Sequence, residues 1–247
     1  MNIPFEPHIL AFAALVVLFA YILFGISAFG AALITVPVLS HFYPLDFVLP
    51  MNVLLDVSAA VALGTRFSRA ADWGELKWMG ALCVVGAILG VTLLVSLPRR
   101  ATLVAFALFL LAYGVYGLRV QGPTRIISRV WGPVAGLAGG VAGTMFGIGA
   151  PPYAIYLSHR LADKLALRAT LSNMVLLSTA IRTTVFAASG LMLADRLLMF
   201  GILLPFALTG LWIGNRLQGR ISRAQLGRVI SALVLLIGAS VLLRALG

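Results

Sequence analysis

The stretch that decides the fold is GPVAGLAGGVAGTMFGIGAPPYAIYL, residues 132–157. It is as apolar as a membrane-spanning helix, yet it carries Gly132, Gly136, Gly139, Gly140, Gly143, Gly147 and Gly149 and then Pro151 and Pro152. In a helix interior glycine costs about 1 kcal/mol relative to alanine and proline about 3 kcal/mol. An unbroken helix through GIGAPP is therefore not expected. Residues 9–43 repeat the theme in GISAFGAALITVPVL, with Gly25, Gly30 and Pro37. Both segments are expected to be broken, re-entrant or hairpin-like, although 9–43 also fits one long helix followed by a short one. Backbone groups freed at membrane depth are tolerated only where protein or a water-filled cavity satisfies them.

The surrounding sequence establishes that membrane depth is the right frame. Of 247 residues, 62% are hydrophobic and 10% charged, with a mean hydropathy of +1.08. Soluble domains carry about 25% charged residues. Such a chain is an all-α polytopic membrane protein, one transmembrane domain over residues 1–247, and not a disordered chain, a nucleic-acid-binding module or a cytosolic enzyme. Six runs have spanning length, roughly 46–66, 76–96, 101–118, 165–190, 196–217 and 226–245. They are too long for barrel strands and lack period-two alternation. The first apolar run has no Lys or Arg before it, so it reads as retained rather than as a cleaved signal.

The two glycine-rich segments open two halves, about 9–118 and 131–245. Phe29-Gly30-Ala31 matches Ile148-Gly149-Ala150, Asn52 and Leu55 match Asn173 and Leu176, and Gly86, Gly90 and Gly114 match Gly210, Gly214 and Gly238. Matches that keep their order indicate an internal repeat.

The net charge of +11 comes from two Lys and sixteen Arg, nearly all between apolar runs, where basic residues set orientation and touch anionic headgroups. No nucleic acid is implied, because no basic stripe alternates with exposed aromatics. If all eight segments crossed once, the loop charges would divide nine against eight. If each glycine-rich segment enters and returns on one side, thirteen face only four, Arg99, Arg100, Arg196 and Arg244. That positive-inside bias selects inverted halves, the architecture of secondary transporters with a site near the midplane.

Two charges fall inside spans, Asp56 in MNVLLDVSAAVALG and Arg182 in NMVLLSTAIRTTVFAASG. Intramembrane charges cost at least about 2.5–3.5 kcal/mol each on insertion scales and so face the interior. Two readings stand. They form a structural ion pair, or Arg182, with Thr183 beside it, binds an anionic group while Asp56 couples protons. Asn52 and Asn173 either donate to substrate or join helices. Half-helices that open at Gly30-Ala31 and at Gly149-Ala150-Pro151, after Gly147, would turn positive dipole ends toward an anion between them. Gly136, Gly140 and Gly143 read instead as helix-packing positions.

Cys83, the one cysteine, excludes an internal disulfide and a Cys-based metal cluster, and reads as a small buried apolar side chain. His8, His41 and His159 fall near interfaces without ligand spacing, so no metal is expected. Trp73, Trp78 and Trp131 sit at run ends, as an aromatic belt does. With no Ser/His/Asp set, carboxylate pair or HExxH, the chain reads as a non-enzyme, and no cofactor is implied.

The two glycine-rich turns resemble the duplicated motif of the sulfite exporter TauE/SafE family of membrane permeases. Gly30-Ala31-Ala32 with Pro37-Val38-Leu39 forms one copy, and Gly147-Ile148-Gly149-Ala150-Pro151-Pro152 with Tyr156-Leu157 the other. Ala31, Ala32 and Ala150 stand where the family pattern has Gly. The resemblance implies a bacterial inner-membrane permease for small anions, typically sulfite or organosulfonates. The partners then are a small anion and the lipid bilayer, with a homo-oligomer left open. The competing class is a non-transporting membrane subunit that docks partners through the basic loops 119–129 and 216–228.

Overall fold

The computed structural model describes residues 6–27, 31–64, 70–119, 127–217 and 223–246. The described residues form ten helices and no strands: α1 (Pro7–Ser27), α2 (Ala32–Leu39), α3 (Leu45–Gly64), α4 (Trp73–Ser96), α5 (Arg99–Arg119), α6 (Trp131–Phe146), α7 (Ala150–Arg160), α8 (Lys164–Ala188), α9 (Ala194–Leu217) and α10 (Arg223–Leu246). Helices α1, α3, α4, α5, α8 and α9 are long and apolar enough to cross a membrane, and α10 carries the apolar stretch Ser231–Leu246.

Both glycine-rich segments are broken, in different ways. The first is a long helix followed by a short one, α1 with 21 residues and α2 with 8. At 1.5 Å per residue α1 reaches about 31 Å, the thickness of the hydrocarbon core. A hairpin within 9–27 is thereby excluded, because Pro7–Ser27 holds no helix breaker before Gly25. The second segment divides into α6 with 16 residues and α7 with 11. Helix α6 reaches only about 24 Å and falls short of crossing.

The chain forms two compact units, and each draws elements from both sequence halves. The first comprises residues 1–55, 97–121 and 193–247. Here α1 packs along α9, α10 along α5, and α2 touches both α1 and α10. Gly210 and Gly214 let the α9 backbone lie against the carbonyls of Leu18 and Ile22 on α1. Arg100 closes the C-terminal end of α10, with Nε donating to the Ala245 carbonyl at 2.9 Å and Nη2 to the Leu246 carbonyl at 3.0 Å. Those are carbonyls a helix end leaves without an intrahelical partner. Buried Arg196, at the start of α9, lies 3.7 Å from Asp46.

The second unit comprises residues 56–96 and 122–192. Helix α4 packs along α6 and also meets α8, while α6, α7 and α8 contact one another. Gly136 and Gly140 of α6 lie on the carbonyls of Met79 and Cys83, and Gly86 of α4 lies on that of Leu137. A methyl group at any of these would strike backbone, so Gly136 and Gly140 are packing positions. Asp163 caps α8 by accepting the Leu165 and Ala166 N–H groups. The unit's buried core includes Leu76, Met79, Cys83, Tyr153, Tyr156, Leu157 and Met174.

Candidate functional site

The site in the second unit is built around the break between α6 and α7. Gly147 closes α6 in the left-handed conformation, φ 77°, which glycine adopts without a steric cost. Its N–H donates to the Gly143 carbonyl at 2.9 Å, and that of Ile148 to the Ala142 carbonyl at 3.3 Å. Helix α7 then starts at Ala150 with Gly149 at its N-cap and no side-chain cap. Pro151 and Pro152 have no N–H. Of the backbone donors expected at a helix start, this end keeps only those before the prolines, and it offers an anion correspondingly fewer N–H groups.

Arg182, in the last third of α8, supplies full positive charge to the same place. It is 5% exposed. Nη1 donates to the Gly143 carbonyl at 2.7 Å, and Nη2 lies 3.4 Å from Asp56 Oδ2. A Cβ on Gly143 would come within 3.2 Å of Arg182 Cδ and 3.4 Å of the Gly149 Cα. Gly143 thus makes room for the Arg182 stem beside the break, and Gly149 for the close approach of the α6 backbone. Nε of Arg182 is buried and finds no acceptor among the described residues. Buried polar groups are almost always partnered, so such a donor calls for an explanation. The buried Thr144 hydroxyl also has no partner there, but its Cβ abuts Gly90 of α4, on another face.

The ion pair of Asp56 and Arg182, one of the two readings of these charges, is present. The other expected site residues are distributed unevenly. Gly147, Gly149, Ala150 and buried Pro151 form the break itself. Thr183 turns away, its hydroxyl donating to the Thr179 carbonyl at 2.8 Å. Asn173 donates to the Ala169 carbonyl of its own helix at 2.9 Å, and lies nine residues, about 14 Å along the axis, from Arg182. In the first unit Ala31 is buried at the start of α2, and buried Asn52 accepts the Thr35 hydroxyl at 2.6 Å, which ties α3 to α2. Gly30 lies outside the described residues, as do 66–69, 120–126 and 218–222, which include much of the basic loops.

Two groupings escaped the sequence reading. Glu75, 2% exposed at the start of α4, accepts the Tyr156 hydroxyl at 2.6 Å and Arg160 Nε at 3.1 Å, with Arg129 Nε at 3.4 Å. The hydrogen bond to Glu75 holds the Arg160 guanidinium above its ordinary pKa. Asp72 accepts the Glu75 N–H at 3.1 Å, an N-cap arrangement that fixes the carboxylate's helix. A lone Glu ahead of an apolar run, with arginines in two other loops, was the available signal. The second grouping is Cys83, Tyr153 and Ser178. Cys83 Sγ lies 3.2 Å from Tyr153 Oη, which lies 3.0 Å from Ser178 Oγ. Cys83 is buried as expected, but it has a polar partner. Nothing in the sequence joins these three.

Among the described residues no group of three or more His, Cys, Asp or Glu could hold a metal. His41 bonds the Pro37 carbonyl and Ser240, and His159 the Ile155 carbonyl. Trp73, Trp78 and Trp131 are all more than half exposed.

The family model described as sulfite exporter TauE/SafE matches residues 13–241. A probable inner membrane transporter protein, TsaS of Comamonas testosteroni, is 28% identical over 192 residues, which is 76% of this chain and 80% of that protein. No solved structure matches.

Proposed function

Because the chain belongs to the sulfite exporter TauE/SafE family, we propose that this inner-membrane transporter carries a small sulfur-containing anion, sulfite or an organosulfonate, by alternating access. One observation carries the reading. Buried Arg182 keeps an Nε donor without an acceptor among the described residues, beside the α6–α7 break. A planar guanidinium suits an oxyanion. Its other nitrogens are held by Asp56 and the Gly143 carbonyl, which fixes the plane. Asp56 is the group whose protonation would alter that hold, and coupling is assigned to it. The chain acts as a carrier and not as a catalyst.

The repeat of 9–118 and 131–245, with inverted halves, belongs to the same proposal. It draws support from the paired glycines. Gly86 and Gly90 of α4 cross α6, and Gly210 and Gly214 of α9 cross α1. In each case a helix late in one half crosses the first helix of the other.

The test is thermal unfolding of the purified full chain against a panel of anions. A ligand at 100 times its Kd stabilises by about 2.7 kcal/mol. Sulfite or a simple sulfonate should raise the Tm in a concentration-dependent way, and chloride at equal ionic strength should not. No shift with any sulfur oxyanion would remove this reading.

A further inference from the structure

We propose that Ser178 is a second donor to the transported anion, held ready for that role by Tyr153 and Cys83. The inference rests on the anion-carrier reading above and names a further residue of the same site. Ser178 and Arg182 are four residues apart on α8, hence one turn apart on one face, with Cβ atoms about 6 Å from each other.

The hydroxyls of this part of α8 divide into two kinds. Thr179, Thr183 and Thr184 donate to the carbonyls of Val175, Thr179 and Ala180, one turn back. They need nothing further. Ser178, 3% exposed, makes no such bond and instead meets Tyr153. Tyr153, wholly buried, lies over Gly139 and reaches both Ser178 and Cys83.

Proton counting then shows what the trio can offer. Cys83, Tyr153 and Ser178 each bring one proton, and they share two contacts. One donor is therefore always left over. Either atom of each contact can donate. An acceptor beside Ser178 selects the order Cys83 S–H to Tyr153 Oη, then Tyr153 O–H to Ser178 Oγ, in which the better oxygen acceptors are used. In that order the uncommitted proton is that of Ser178. Its O–H then joins Arg182 Nε–H, which has no acceptor among the described residues, one turn away on α8. Donors alone suit a fully ionised oxyanion, which offers only acceptors, and sulfonate and sulfite have three oxygens to offer.

The experiment is calorimetric titration of methanesulfonate and of sulfite into the detergent-solubilised full chain, as wild type, Ser178→Ala and Ser178→Thr, with the Tm of each. Wild type should bind at least one of the two. Ser178→Ala should bind that anion about tenfold more weakly, the size of a hydrogen bond to a charged group, with a modest fall in Tm because the Tyr153 hydroxyl loses a partner. Ser178→Thr keeps the hydroxyl and should bind within threefold of wild type. If wild type binds neither anion, the carrier reading falls and this inference with it. If wild type binds and Ser178→Ala binds equally well, the carrier reading stands and the Ser178 assignment is overturned. An affinity loss that Ser178→Thr shares also overturns it, since that is the mark of a packing role.

Discussion

Arg182 Nη1 donates to the Gly143 carbonyl at 2.7 Å, and the same carbonyl accepts the Gly147 N–H that ends α6. The side chain that carries the intramembrane positive charge and the turn that breaks the helix are thereby one structure. Substitution at Gly143 should disturb both. A valine there would press on Arg182 Cδ and the Gly149 backbone. Gly143→Val is expected to lower anion affinity at least tenfold while the protein still inserts and purifies. Titration of sulfite into the variant checks this.

Removing one member of the Asp56–Arg182 pair leaves a buried charge, which costs about 3–5 kcal/mol. Asp56→Asn should therefore lower stability in that range. The double variant Asp56→Asn, Arg182→Gln should recover a large part of it. Chemical denaturation of the two variants and wild type decides the point, and simple additivity would show that the pair is not coupled.

Glu75 gathers Tyr156, Arg160 and Arg129 on one buried carboxylate. Both arginines are partly exposed, 33% and 44%, and can turn to solvent when the carboxylate is lost. The loss from Glu75→Ala should come mainly from the stranded Tyr156 hydroxyl and the vacated volume, about 1–3 kcal/mol. Arg160→Ala should cost less than 1 kcal/mol, roughly the worth of an exposed pair. The same denaturation assay ranks the two, and equal losses would contradict the geometry.

Gly136 and Gly201 are both helical glycines in apolar sequence, with opposite expectations. A methyl at 136 strikes the Met79 carbonyl, whereas nothing lies within 4 Å of one at 201. Gly201→Ala should be neutral or stabilising by up to about 1 kcal/mol. Gly136→Ala should lower Tm by several degrees because α4 and α6 must separate.

The sequence shows its spans because run length and Arg-bearing loops are local signals. The runs 46–66 and 196–217 are α3 and α9 within two residues at each end. The break at GIGAPP was equally local, since Gly147 and the two prolines each act on their own backbone. Asp56 and Arg182 stood out because charge inside an apolar run is costly wherever it occurs. What stayed hidden depended on partners distant in the chain. Ser178 looks like Thr179 until Tyr153 is placed 3.0 Å away, and nothing in the sequence joins Asn52 to Thr35, whose hydroxyl donates to it. Segment 9–43 held two readings because glycine at 25 and 30 permits a break without stating what length of helix precedes it.

The most direct test of the central claim is transport in proteoliposomes. Wild type, Arg182→Ala and Arg99→Ala would be reconstituted at equal amounts, and the movement of sulfite and methanesulfonate followed. Arg99 is exposed at the start of α5, so its variant serves as the charge control. The account predicts transport of at least one anion by wild type and Arg99→Ala, and background rates for Arg182→Ala. Wild-type rates from Arg182→Ala would contradict it.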